Sequence, residues 1–363
     1  MKKLGRAFLA LVVGLLSSLA LVASASGTTA SSAPEVKHIG GPITALALAG
    51  SRVAYGVHPA TTKDKVAVWN VRAGRTMVVS GIHTQHDGDS STGAGVFQLA
   101  LTGTRVAWLS NAGGNSEGDD YLFTSSLTKP KEHQVTSEIR TGDSCPGRSS
   151  YQCAGQWLGG LVGSGNVLAV NRWTTDGTGA VSAGELDLLN GTKLKQVATG
   201  VNTVQAVTAD DGRIAVLHSD GSVALYSAAG KPLLTVDSPP STEAVALRGK
   251  SLLVGTKSRL LDLYDAHTGS LKRTFYARGQ GRMPRNLDVQ GNIAIYTTGS
   301  AGVLHAVNLA TGKDRPIVER HGGIELAQID SAGVAYVDNG FGTNYGKATL
   351  AFLPFAKVAA AVS

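Results

Sequence analysis

Residues 243–276 read EAVALRGKSLLVGTKSRLLDLYDAHTGSLKRTFY. Four short apolar stretches follow one another, the first stopped at Gly249 and the third at the turn YDAHTGS over residues 264–270. Runs of four to seven residues with period-two alternation, bounded by Gly, Asn and Thr, are strands. One such unit is a four-stranded meander with a single sheet to bury.

The unit recurs. Its second strand, opened by a turn ending in Gly, returns as GSRVAY (50–55), GTRVAW (103–108), GNVLAV (165–170), GRIAVL (212–217), GNIAIY (291–296) and, degenerately, AGVAYV (332–337). With the copy at 249–255 this makes seven. The later Gly markers, from Gly165 onward, lie 37 to 47 residues apart, near the period of about 40 to 45 that four-stranded propeller repeats show. The early repeats carry insertions. A β-sandwich would not regenerate the same two turns seven times. The expected fold is therefore all-β, a seven-bladed β-propeller of four-stranded antiparallel blades, with small residues such as Ala45, Ala47 and Ala100 at the crowded centre.

The turns Asp265-Ala266-His267-Thr268-Gly269 and Asn308-Leu309-Ala310-Thr311-Gly312 resemble the D-x-x-T-G turn of pyrroloquinoline-quinone-like propeller repeats, and Trp69-Asn70 stands where WD-type repeats place Trp-Asp. The resemblance covers nearly the whole chain beyond its N-terminus. It implies the fold and no particular activity. Quinoprotein dehydrogenases of that family hold their cofactor with adjacent cysteines, whereas Cys145 and Cys153 stand apart. Thr274-Phe275 and Pro316-Ile317 replace the repeat Trp. The resemblance thus implies a quinone-free relative, and no cofactor is expected.

Composition agrees with the repeat. The 363 residues include 46 Gly, and only 16% are charged, which excludes helical bundles and coiled coils. A hydrophobic content of 42% excludes a disordered chain. At the N-terminus, Lys2, Lys3 and Arg6 precede an apolar run, Ala7 to Val22, and then Ala23-Ser24-Ala25. That order is a secretory signal peptide cleaved after Ala25, and the run is shorter than the ~20 residues a membrane span needs. The expected organisation is a signal peptide over 1–25, a short segment over 26–37 that closes the last blade, and the propeller over 38–363. The expected location is secreted, extracellular or periplasmic, with no transmembrane segment after cleavage. Removing three basic residues and no acidic one lowers the net charge from +7 to +4. No run of five basic residues occurs, so nucleic acid is not an expected partner. In an oxidising compartment Cys145 and Cys153 read as one disulfide, contributing about 2–3 kcal/mol through loop closure.

Long connections fall at Gly81 to Gly95, Asn111 to Asp120, Ser137 to Trp157, Arg172 to Gly184 and Asp338 to Gly346, in blades seven, one, two and three. Propeller geometry puts them on one face, in one sector, and binding usually resides in such loops. The candidate binding residues are His83, His86, Asp87, Asp89, Glu117, Asp119, Asp120, Tyr151, Trp173, Phe341 and Tyr345. His83, His86, Asp87 and Asp89 form the densest cluster. The imidazoles would suit zinc and the carboxylates calcium, but the composition is also that of a solvated polar loop, the reading adopted. Glu117, Asp119 and Asp120 would need a set separation for glycoside hydrolysis. The aromatic residues suit sugar stacking or anchoring of a partner, while Trp157 is expected to start a strand and be buried. Arg278, Arg282 and Arg285 make a small basic group on the same face. The expectation is a monomeric, non-catalytic binding or scaffold protein whose partner is a protein or a cell-envelope polymer. The alternative is a propeller enzyme, a lyase, lactonase or hydrolase, with its site on the same face.

Overall fold

A computed structural model describes residues 34–58, 64–81, 95–113, 118–140, 155–176, 181–200, 204–210, 212–278, 284–298, 302–320, 323–340 and 347–363. The described residues form seven four-stranded antiparallel sheets. Blade one contains β2 (Ile43–Ala49), β3 (Arg52–Val57), β4 (Lys65–Asn70) and β5 (Arg75–Val78). Blade two contains β6 (Gly95–Leu101), β7 (Arg105–Gly113), β8 (Gly118–Ser126) and β9 (His133–Arg140). Blade three contains β10 (Gly155–Ser164), β11 (Val167–Thr175), β12 (Val181–Asn190) and β13 (Lys193–Thr199). Blade four contains β14 (Val204–Asp210), β15 (Arg213–His218), β16 (Val223–Ser227) and β17 (Pro232–Val236). Blade five contains β18 (Thr242–Arg248), β19 (Ser251–Thr256), β20 (Leu260–Asp265) and β21 (Leu271–Tyr276). Blade six contains β22 (Pro284–Gln290), β23 (Ile293–Thr298), β24 (Val303–Asn308) and β25 (Asp314–Glu319).

Blade seven takes its strands from both ends of the chain. β26 (Ile324–Asp330), β27 (Gly333–Asp338) and β28 (Ala348–Pro354) are completed by β1 (Glu35–Ile39). β1 runs antiparallel to β28 with Glu35 opposite Phe352 and Ile39 opposite Ala348. The chain then turns at Pro354 into a helix, α1 (Phe355–Val362), where the other blades begin a fourth strand. Val358 and Val362 lie four apart and pack into the apolar layer between blades six and seven.

The apolar core is divided into seven clusters, each sandwiched between two neighbouring blades. In β19, Leu252 and Val254 face blade four while Leu253 faces blade six. Second and third strands are therefore buried on both faces, which is why they read as continuous apolar runs. Fourth strands such as β21 lie at the rim and are mostly exposed.

The repeated turns have local physical causes. Gly50 adopts φ +58°, a left-handed conformation that disfavours side chains. In the D-x-x-T-G turn, Asp265 Oδ1 accepts the N–H groups of His267 (2.8 Å) and Thr268 (3.2 Å), and Asn308 does the same for Ala310 and Thr311. The side chain thereby completes the turn that the backbone alone leaves open.

Each inner strand pairs with its second strand through a register shift, near its start in most blades and mid-strand, between Gly159 and Val162, in the lengthened β10. Such shifts bend the strand and raise its local twist.

Candidate functional site

The inner strands line a central cavity of about 220 Å³ that includes Thr208, Arg248, Asn286, Asp288 and Gln328. An inner strand has an edge, and its channel-side N–H groups find no partner in their own blade. Side chains of the preceding blade supply one. Gln98 Oε1 accepts Leu161 N–H (2.9 Å), Asp288 Oδ2 accepts Ile329 N–H (2.9 Å), and Gln328 Oε1 accepts Leu48 N–H (2.8 Å). Gln328 Nε2 also donates to Leu46 carbonyl oxygen, so its amide imitates a passing strand.

Two further latches sit at the ends of inner strands, where Asp210 accepts Gly249 N–H and Asp330 accepts Gly50 N–H. Arg248 reaches Ser164 Oγ (3.2 Å) and lies 3.9 Å from Asp210, linking blades three, four and five across the channel. Burial pushes the Asp288 carboxyl up to about 6, with its N–H bonds and Arg248 pulling the other way. These groups hold blades together.

The opposite, long-connection face carries the departure from symmetry. β7 and β8 have nine residues each, and β11 and β12 have nine and ten, where β15, β19, β20, β23, β24 and β27 have six. Three extra residues add ~10 Å of strand, so blades two and three raise a pair of hairpins above the ring.

This corrects the sequence reading of Asn111 to Asp120 and Arg172 to Gly184 as loops. Asn111 faces Asp120 and Gly113 faces Gly118 in register, and Arg172 faces Glu185 and Trp173 faces Gly184. Likewise Ser137 belongs to β9 and Trp157 to β10.

The facing sides of the two hairpins enclose a charge cluster that no local motif announces. Arg172 lies 2.6 Å from Glu185, 3.2 Å from Asp187 and 3.5 Å from Glu138 of the neighbouring blade. Glu138 and Asp187 are buried. Burial pushes both carboxyls up, against the pull of Arg172, while burial lowers and the three carboxylates raise the guanidinium, the net direction being up.

Asp119 and Asp120, adjacent in β8, point to opposite faces of the blade. Asp120 is buried and accepts Leu158 N–H (3.2 Å). Asp119 accepts the Tyr121 hydroxyl (2.9 Å), and burial followed by that carboxylate pushes the phenol up to about 12. The two carboxylates do not converge.

On the side facing blade four, Trp173 stacks on Trp157 with ring centroids 6.2 Å apart and planes within 5°. Trp157 Nε1 donates to Thr175 Oγ1 (2.8 Å). Gly159 makes room for Trp173, since a Cβ there would meet the indole at 2.8 Å. Contrary to the sequence reading, Trp157 is only partly buried, because the raised end of β10 stands above its neighbour in blade four.

His83, His86, Asp87, Asp89, Glu117, Tyr151, Phe341 and Tyr345 lie outside the described residues, as do Cys145 and Cys153 and the N-terminal 33 residues. Arg278 donates its N–H to Tyr296 Oη, Arg285 is exposed on β22, and Arg282 lies outside the described residues. Among the described residues no three His, Cys, Asp or Glu side chains gather as metal ligands, and no helix is long and apolar enough to cross a membrane.

The architecture is that of a seven-bladed β-propeller. Among solved structures, the chain is similar to the WD40 β-propeller domain of Doa1, with 12% identity over 90% of this chain and 97% of that one and a TM-score of 0.54. It also matches the computationally designed Ika8 protein at 14% identity, covering 87% of this chain and 98% of that one, with a TM-score of 0.47. No protein-family model and no curated protein sequence matches the chain. The likeness to the WD40 domain is one of fold.

Proposed function

We propose that the chain is exported and serves as a non-catalytic binding or scaffold propeller outside the cytoplasm, gripping a protein or an envelope polymer with the face above blades seven, one, two and three. The observation that carries this reading is the pair of raised hairpins on blades two and three, which lifts one sector of the long-connection face above the other blades. A rigid sheet extended beyond its neighbours adds contact surface without disturbing the core. The partly exposed Trp157–Trp173 stack supplies a flat apolar anchor there.

Export rests on the N-terminal pattern of Lys2, Lys3 and Arg6, apolar run and Ala23-Ser24-Ala25. The D-x-x-T-G turns support kinship with quinone-free relatives of pyrroloquinoline-quinone-like repeat proteins. In that compartment Cys145 and Cys153 are joined, and thiol labelling of the unreduced protein finds no free thiol.

The test of the face uses Asn111 and Asp120, which already oppose each other. Replacing residues 112–119 by Asn-Gly shortens the hairpin and spares the Asp120 latch. The variant melts like the parent and loses at least ten-fold in affinity, about 1.4 kcal/mol, for partners recovered with the parent from culture supernatant or envelope fractions. Undiminished binding by this variant, and by one shortened between Gly81 and Gly95, overturns the assignment. For export, the secreted product begins near Ser26; a membrane-bound product retaining Met1 refutes it.

A further inference from the structure

We propose that the short-turn face, opposite the raised hairpins, docks on an anionic lipid surface. No run of five basic residues occurs in the sequence, yet the fold gathers six cations on one face. Arg72, Arg75, Lys129, Lys131, Lys193 and Lys231 all fall between the third and fourth strands of blades one to four or on the first residue of the fourth strand, and all six are exposed. None of them makes an ion pair among the described residues.

Among the described carboxylates on this face, Glu35 opens the fourth strand of blade seven and is exposed, while the others are engaged. Asp210 is held by Arg213 and Gly249 N–H, Asp265 by Lys272 and two turn N–H groups, Asp330 by Gly50 N–H, and Glu132 by Gly81 N–H. An N–H bond leaves a carboxylate its charge, so Glu35, Glu132 and Asp330 remain negative, and the six cations outnumber them and leave this face net positive. Their field is directed away from the ring.

Two observations favour a bilayer over a soluble polyanion. The charges are spread over the turns of four successive blades, wider than a path that would track a single strand. Beside the charges stand Leu233 and Leu271, 49% and 54% exposed, at the starts of the fourth strands of blades four and five. Ammonium and guanidinium groups next to exposed leucines match a headgroup layer above an acyl boundary.

The test is co-sedimentation of the full chain with vesicles of phosphatidylcholine alone and of phosphatidylcholine with about 30% phosphatidylglycerol, at about 0.1 M salt. Lys2, Lys3 and Arg6 ahead of the apolar run also favour anionic vesicles, so the loss on substituting the face's own cations, and not the difference between vesicles alone, reports the charged face. The expected result is at least ten-fold tighter binding to the anionic vesicles, abolished near ~0.5 M salt. Each basic residue removed should weaken it roughly five-fold, so K129Q/K131Q loses more than ten-fold while its melting curve matches the parent's. L233S/L271S weakens binding further at fixed charge. Equal binding to both vesicle types overturns the proposal, as does retention of binding by K129Q/K131Q combined with R72Q/R75Q. Capture by dextran sulfate without capture by anionic vesicles also overturns it, in favour of a polymer ligand. The variant lacking residues 112–119 binds vesicles like the parent, which separates this face from the hairpin face.

Discussion

Asp288 sits on an inner strand with Oδ1 on Val289 N–H and Oδ2 on Ile329 N–H of the next blade. Its folded value of about 6 exceeds the unfolded ~3.9. Between about pH 4 and 6 the folded state thus holds more protons, and this group's contribution to stability falls as pH rises. Asp288→Asn keeps one acceptor for the latch and removes the titration. The stability difference between variant and parent should move in the variant's favour by on the order of 2 kcal/mol from pH 4 to 7, as read from denaturant midpoints at each pH. Arg172 presents the converse case, one cation among three carboxylates. Arg172→Leu leaves Glu138 and Asp187 buried without their counter-charge and should cost about 3 kcal/mol at pH 7. Both carboxyls are pushed up by burial, so the loss shrinks as pH falls and they take up protons; chemical denaturation at pH 7 and pH 4.5 checks the sign. Neither site was legible in the sequence. Glu138 and Arg172 lie in different blades, and only packing makes them neighbours.

The alternation and turns of individual strands were readable because each has a local cause, such as the Asx bonds of Asp265 or the left-handed φ of Gly50. The raised hairpins were misread as loops. Above the ring a strand has one packed neighbour or none, so polar residues such as Asn111 and Asp119 interrupt the apolar pattern while the backbone ladder continues. The helix α1 went unread as well. Eight residues give barely two turns, and its signal was only Val358 and Val362, four apart in an Ala-rich tail. β10 offers a test at this scale. Gly159→Ala puts a methyl into the space Trp173 occupies, and should displace the indole, alter tryptophan fluorescence and destabilise by about 1–2 kcal/mol. Unchanged emission and midpoint would show that the stack does not depend on that glycine.

At the scale of the molecule, closure joins the two ends of the chain through β1 and β28. Removing residues 34–39 leaves β28 as a bare edge, and should lower the melting temperature and promote concentration-dependent association, measured by calorimetry and light scattering. The sequence by itself determined the seven repeats, the four strands of each and the turns between them, because those depend on contacts within about forty residues. Only the tertiary structure decided which blade's side chains latch the next inner strand, which strands rise above the ring, and which face collects the cations. Those features pair residues far apart in the chain, as Gln328 does with Leu48. A spacing of 280 residues leaves no periodicity to read, since such contacts arise only when the ring closes.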